Sequence, residues 1–241
     1  AIYRFSGCDL NIFLEFSKYF GDSAIRKITT THRNSQELQD IAGPFIKKNP
    51  EQFDKKINSA PHIDNPIRIM WYSEKKHYAF LDTLKVISKI SPNANVLILG
   101  RNNKDFEDIA LDDCIYIDFK ASDEVKTVVH CSTFPKLNLS YNTVHGSKGL
   151  EEDFVILINA DDDRTGFPNK MEDDELLDLV LSKKSEYEYA EERRLWYVAL
   201  TRTRNITFII ANNERPSIFL KEIEDKCGVV NSVCSTKEQK T

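Results

Sequence analysis

The chain has 241 residues, with 33 Lys and Arg against 38 Asp and Glu for a net charge of −5, and it is 41% hydrophobic and 29% charged. That is ample material for a buried core in one large domain or two small ones, and it excludes a disordered or fibrous chain and a surface coated in positive potential, though not a local basic groove. No apolar stretch approaches the ~18–20 residues of a bilayer crossing, no basic flank leads into an apolar run as in a signal peptide, and five Cys, an odd number at 8, 114, 131, 227 and 234, point to a reducing, cytoplasmic compartment rather than a disulfide framework.

Ala1 is not Met, and the opening AIYRFSG reads as a strand running into a turn, as expected of a piece of a longer protein. Asp9 is placed to cap a helix carrying Ile12, Phe13, Phe16 and Phe20 and ended by Gly21. A short strand over Ala24–Thr29 follows, then a helix from Ser35 with Leu38, Ile41 and Phe45 ahead of an Asn49-Pro50 stop, and a turn-rich loop over 50–65. PIRIMWY (66–72) reads as a strand, 75–90 as a helix, and VLILG (96–100) as a strand covered on both faces. The stretch 101–140 offers only short strand-like pieces, Ile115–Asp118 and Lys126–Cys131. FVILINA (154–160) and NITFIIA (205–211) are further continuous apolar runs, with a helix over about 187–200 between them. Buried strands alternating with helices imply an α/β fold on a mostly parallel sheet with helices on both faces. Residues 225–241 read as a polar, flexible tail behind a single domain spanning 1–224.

Two strings carry chemistry. NTVHGSKGLE (142–151) lies between a strand-like lead and a buried strand. Gly146 and Gly149 bracket Ser147-Lys148 in a compact turn that backbone can bring close to a ligand. His145 and Lys148 could meet phosphate, and Glu151 could accept from a sugar hydroxyl. EERRLWYVALTRTR (191–204) ends a buried helix on Arg202 and Arg204. Cations there suit the helix dipole, by ~0.3–1 kcal/mol; the same geometry can aim a guanidinium rigidly at a phosphate. Glu191 and Glu192 read as solvated partners of Arg193 and Arg194. None of the eight Gly sits in a GxxxxGK[ST] string, so there is no Walker A loop. His62, His77 and His130 read as ordinary residues, Asp161–Asp163 as a solvated loop rather than a magnesium site, and Cys227 and Cys234 at most as the start of a truncated zinc tail.

The two strings resemble motifs V and VI of superfamily 1 helicases of the UvrD/Rep type, in that family's order and separation. AIYRFSG resembles the tail of motif III, TTTHRNS (29–35) resembles motif IV, and VLILGRN (96–102) the segment after it. The IYRFSG opening and the Gly166-Phe167-Pro168 turn are most similar to helicase IV. The resemblance, over about residues 1–220, implies the second RecA-like domain of a P-loop NTPase fold, without its own Walker A. It implies a 3′→5′ DNA helicase whose ATP lies between this domain and an N-terminal RecA-like domain of the same protein, with single-stranded DNA running across both. On that resemblance Arg33 reaches the γ-phosphate and Arg202 is the arginine finger, a device that accelerates phosphoryl transfer by roughly 10³–10⁵. His32 and Gly149 join Glu151 at the nucleotide, Glu151 on the ribose. Thr143, His145 and Lys148 contact the DNA backbone, and Tyr3 and Phe5 stack on bases, at about 1–3 kcal/mol per base. Mg2+ would find its ligands mainly in the N-terminal domain, so this chain alone would be inactive.

The match has departures. His32 stands where the wider family has a Tyr stacking on adenine, Ser6 where many relatives have an Arg, and only about 40 residues (103–142) stand where many carry an accessory domain. Two other readings fit the residues: a nucleotide- or nucleic-acid-binding module with no motor activity, and the motor half of a helicase–nuclease subunit.

Overall fold

In the computed structural model the described residues are 12, 15–22, 24, 26, 28–50, 52, 56–110, 114–118, 127–171 and 187–230. Their elements in chain order begin with α1 (Phe16–Phe20), β1 (Thr30–Thr31), α2 (Gln36–Lys47), β2 (Asn58–Ser59), β3 (Ile67–Tyr72), α3 (Lys76–Ile90) and β4 (Asn95–Gly100). A 3-10 turn (Asn103–Asp108) leads to β5 (Ile115–Asp118), β6 (Thr127–Cys131), β7 (Asn138–Thr143) and β8 (Glu152–Leu157). The chain ends with α4 (Ala190–Leu200), β9 (Thr203–Asn212), α5 (Ile218–Lys221), a second 3-10 turn (Glu224–Lys226) and β10 (Gly228–Val230).

The main sheet has the order β10-β3-β9-β8-β4-β7-β6-β5. Its first six strands are mutually parallel, and β6 and β5 close one edge antiparallel. The continuous apolar runs become its central strands because both faces are covered. Along β8, Val155 and Leu157 enter one core while Phe154 and Ile156 enter the other. Strand β4 divides in the same way, Leu97 and Leu99 from Val96 and Ile98. Helices α2, α4 and α5 cover the first face, with Leu38, Phe45, Trp196 and Phe219; α3 covers the second with Phe80, Leu84 and Ile87. Helix α2 starts where the sequence places it: Ser35 caps it, its hydroxyl accepting from the Leu38 amide at 3.3 Å. Its buried residues Leu38, Ile41, Ala42 and Phe45 recur at helical spacing.

Three local expectations change. The strand expected over 24–29 is instead Thr30–Thr31, paired with Asn58–Ser59 inside the predicted loop. Of the first helix, Ile12 and Phe16–Phe20 are described as helical, stopped at Gly21 as expected; Ile12, Phe16 and Phe20 are exposed rather than core residues, and Phe13 lies outside the described residues. Gly228–Val230, inside the expected tail, pairs with Arg68–Met70 as the sheet's parallel edge strand. Val229 is exposed and its neighbours half-buried, so a polar run with one short apolar pair was enough to complete an edge. No helix among the described residues is long and apolar enough to cross a membrane.

Candidate functional site

Helix α4 runs antiparallel to the strands and so has one end at each edge of the sheet. Its carboxyl end passes through Thr201 and Arg202 directly into β9. The Glu152 amide donates to the Arg202 carbonyl at 3.1 Å, which brings Glu151 to the same edge. Motif IV arrives there through α2. The buried Asn34 amide nitrogen donates to the carbonyls of Thr201 (3.3 Å) and Thr203 (2.6 Å), and its own oxygen accepts from Gln39 Nε2 at 3.1 Å. Residues 33, 151, 202 and 204 are thereby gathered at the amino edge.

Their electrostatics divide sharply. Arg33 Nε meets Glu151 Oε2 at 2.5 Å. Arg204 meets the other oxygen, Oε1, with Nε at 3.2 Å and Nη2 at 3.1 Å. Hydrogen bonds from Arg33 and then Arg204 hold the Glu151 carboxyl below its ordinary range. Arg202 has no carboxylate at ion-pair distance among the described residues. Its Nε donates to the Val198 carbonyl at 3.1 Å and Nη1 to the Leu150 carbonyl at 3.4 Å. Burial, and then the neighbouring Arg33 charge, disfavour its protonated form. A desolvated guanidinium beside a second cation is an electrostatic vacancy that an anion would fill. Tyr197, one turn back on α4, lies within the fields of both Arg202 and Arg33, and burial raises its phenol.

The opposite edge holds the motif V turn. The Val144 amide donates to Gly100 as β7 ends. Thr143 Oγ1 accepts from the Gly146 amide at 3.1 Å, and the fully buried Ser147 donates its hydroxyl to Val144 at 2.7 Å. The turn is thus bonded to itself and leaves His145 half-buried and Lys148 exposed. A Cβ on Gly146 would come within 2.2 Å of Asn142 Oδ1, and Gly149 has φ +92°, a region that favours glycine. Burial lowers the His145 pKa, Arg101 lowers it further, and Glu192 opposes them. Arg101 and Glu192 form a two-point pair, Nη2–Oε1 at 2.6 Å and Nε–Oε2 at 3.1 Å, joined by the Asn169 amide at 3.0 Å. The VLILGRN segment, the start of α4 and the motif V turn therefore meet.

Arg33, Glu151 and Arg202 come together as one group, while Thr143, His145 and Lys148 stand in the motif V turn, which Gly149 closes toward Glu151. His32 is exposed on the bend ahead of α2. Tyr3 and Phe5 lie outside the described residues. The sequence reading missed the part of Arg204, which it gave to the helix dipole, and of Asn34; no local spacing links Arg204 to a residue 53 positions away.

Two side readings are corrected. Asp161 is buried rather than solvated: it accepts from Tyr72 and from the Asn212 amide (2.7 Å), and pairs with buried Lys76 at 3.2 Å. Glu192 turns to Arg101, and Arg193 is a core residue. It makes a two-point pair with Glu222 at 2.8 and 2.7 Å, its guanidinium 4.5 Å from the Phe45 ring centre and 5.0 Å from that of Phe219. Of the two tail cysteines, Cys227 packs against the core, its thiol pushed up to about 12 by burial, and Cys234 lies outside the described residues. Among the described residues no group of three or more His, Cys, Asp or Glu is placed to hold a metal ion.

Comparison with known proteins agrees with the motifs. Residues 121–214 match the UvrD-like helicase C-terminal domain. The chain is 31% identical over 225 residues to DNA helicase IV of Escherichia coli strain K12, covering 93% of this chain and 30% of that protein. Among solved structures, the C-terminal domain of a possible DNA helicase from Lactobacillus plantarum WCFS1 is similar at 14% identity and a TM-score of 0.48, over 83% of this chain and 98% of that one. The chain, built on a mostly parallel α/β sheet, is similar to the UvrD-like helicase C-terminal domain and to DNA helicase IV, the family its motifs resemble.

Proposed function

We propose that the chain is the C-terminal motor domain of an ATP-dependent DNA helicase that moves 3′→5′ on single-stranded DNA. ATP binds against the amino edge and is completed by an N-terminal RecA-like domain, which supplies the phosphate loop and the main Mg2+ ligands. Arg202 is the arginine finger, Arg33 reaches the γ-phosphate, and Glu151 holds the ribose, with His32 and Gly149 beside the nucleotide. Thr143, His145 and Lys148 at the opposite edge follow the DNA backbone, with Tyr3 and Phe5 against its bases.

The observation that carries this reading is Arg202, a half-buried guanidinium held only by carbonyls and lying beside a second cation. A structural arginine would be paired, as Arg193 and Arg101 are. An arginine with no carboxylate at ion-pair distance is positioned for an anion that arrives, and a phosphoryl group building charge in its transition state is such an anion. In the intact protein Arg202→Ala should lower ATP turnover by roughly 10³-fold or more while DNA binding is retained. A drop of less than about tenfold would remove Arg202 from this role. The chain alone should show no ATPase activity. An intact protein without ATPase activity, and without a Walker A string upstream, would favour the non-motor binding module.

A further inference from the structure

Glu151 is held by two arginines in different ways, and the difference has a use. Arg33 stands on the bend between β1 and α2 and meets Oε2 through Nε. Arg204 stands on β9, a ten-residue strand inside the sheet, and meets Oε1 through both Nε and Nη2. It stands just inside the start of the ladder: Glu152 lies in register with Thr203, and the register shifts between Glu152 and Phe154, opposite Arg204. Arg204 also lies 3.8 Å from Asp153 Oδ1, and Asp153 in turn accepts from the Asn95 amide and side chain, each at 3.2 Å.

We infer that Arg204 is a positioning residue that keeps Glu151 oriented when Arg33 leaves it for the nucleotide. This rests on the proposed roles of Glu151 and Arg33. Arg33 meets the carboxylate through Nε alone; as a ribose hydroxyl takes Oε2 and a phosphate draws the guanidinium, that single contact is the one to be exchanged. Breaking it does two things at once. It frees the Arg33 guanidinium, and it frees Oε2, the oxygen a ribose hydroxyl would then donate to. Without a second cation the released carboxylate would be free to turn into solvent, because its side chain is only half-buried. The Arg204 fork prevents this by occupying Oε1 from a strand paired within the main sheet. The Arg33–Glu151 pair is then a resting contact, exchanged on binding, and the Arg204–Glu151 pair a permanent one.

The test compares ATP with 2′,3′-dideoxyATP, which offers Glu151 no hydroxyl, in steady-state hydrolysis by the intact protein. The wild type should show a lower KM for ATP. Arg204→Ala should raise the KM for ATP about three- to fivefold with a smaller change in kcat, and should bring the KM ratio of the two nucleotides close to one. Glu151→Gln should abolish the same ratio. A wild-type ratio in Arg204→Ala, with the ratio lost in Glu151→Gln, would overturn the positioning role and leave the ribose reading standing. A wild-type ratio in Glu151→Gln would overturn the ribose reading and this inference with it. Should Arg204→Ala lose its cooperative melt, Arg204→Gln, which keeps the bulk and removes the charge, decides in its place by the same ratio.

Discussion

The two ends of α4 hold the same chemistry in opposite conditions. At the amino end, Arg101 and Glu192 are each 14% exposed and form a closed, two-point pair with an additional backbone donor. At the carboxyl end, Arg33, Glu151 and Arg204 are 32%, 34% and 50% exposed, and Arg202 beside them has no carboxylate at ion-pair distance among the described residues. A satisfied, desolvated pair resists exchange because breaking it strands two charges; a half-solvated group with cations in excess exchanges partners at low cost. The first arrangement builds a structure and the second, on the proposed function, receives a ligand. One helix joins them.

The contrast can be broken most forcefully at its ligand end. Arg202→Ala, the largest effect expected on turnover, should leave the denaturant midpoint of the protein almost where it is, since the guanidinium has no charge partner to strand. Arg101→Ala should do the reverse. Leaving Glu192 desolvated with only the Asn169 amide should cost about 2–4 kcal/mol in chemical denaturation. If Arg101→Ala were neutral in stability, the two ends would not differ as described. Gly146→Ala probes the turn between them. The added Cβ must displace Asn142, whose Oδ1 also accepts from the Thr143 amide at 2.8 Å, so a loss of about 1–2 kcal/mol is expected by the same measurement. The smallest effect is the most diagnostic of charge. His145 titrates below the ordinary 6.5, so the folded state resists its protonation. The stability this contributes is complete above pH 6.5 and declines as pH falls through the unfolded value toward the folded one. His145→Gln should flatten the stability profile below pH 6.5, and an unchanged slope would mean that His145 is not held beside Arg101.

Much of the fold was legible because both-face burial writes itself into sequence. VLILG, FVILINA and NITFIIA are the sheet's centre, and α2 was legible from its Ser cap and apolar spacing. The four motifs placed Arg33, Glu151 and Arg202 before any contact between them was visible. What escaped was set by distant partners. Nothing near Asp161 announces Lys76, and nothing near Arg193 announces Glu222 or the rings of Phe45 and Phe219. An acidic run and a helix of alternating charge look solvated until the fold brings a neutralising group to them. Gly228–Val230 escaped for another reason, since an edge strand of three residues leaves almost no periodicity to read.

The Asn34 side chain has a mechanical consequence. It follows Arg33 in the chain, and its amide reaches the carbonyls on both sides of Arg202. The backbones that carry the two cations are therefore set against one another by a single buried group, as the jaws of a calliper are by its bar. A displacement of one of these backbones is passed to the other, so the span between them is set within this domain.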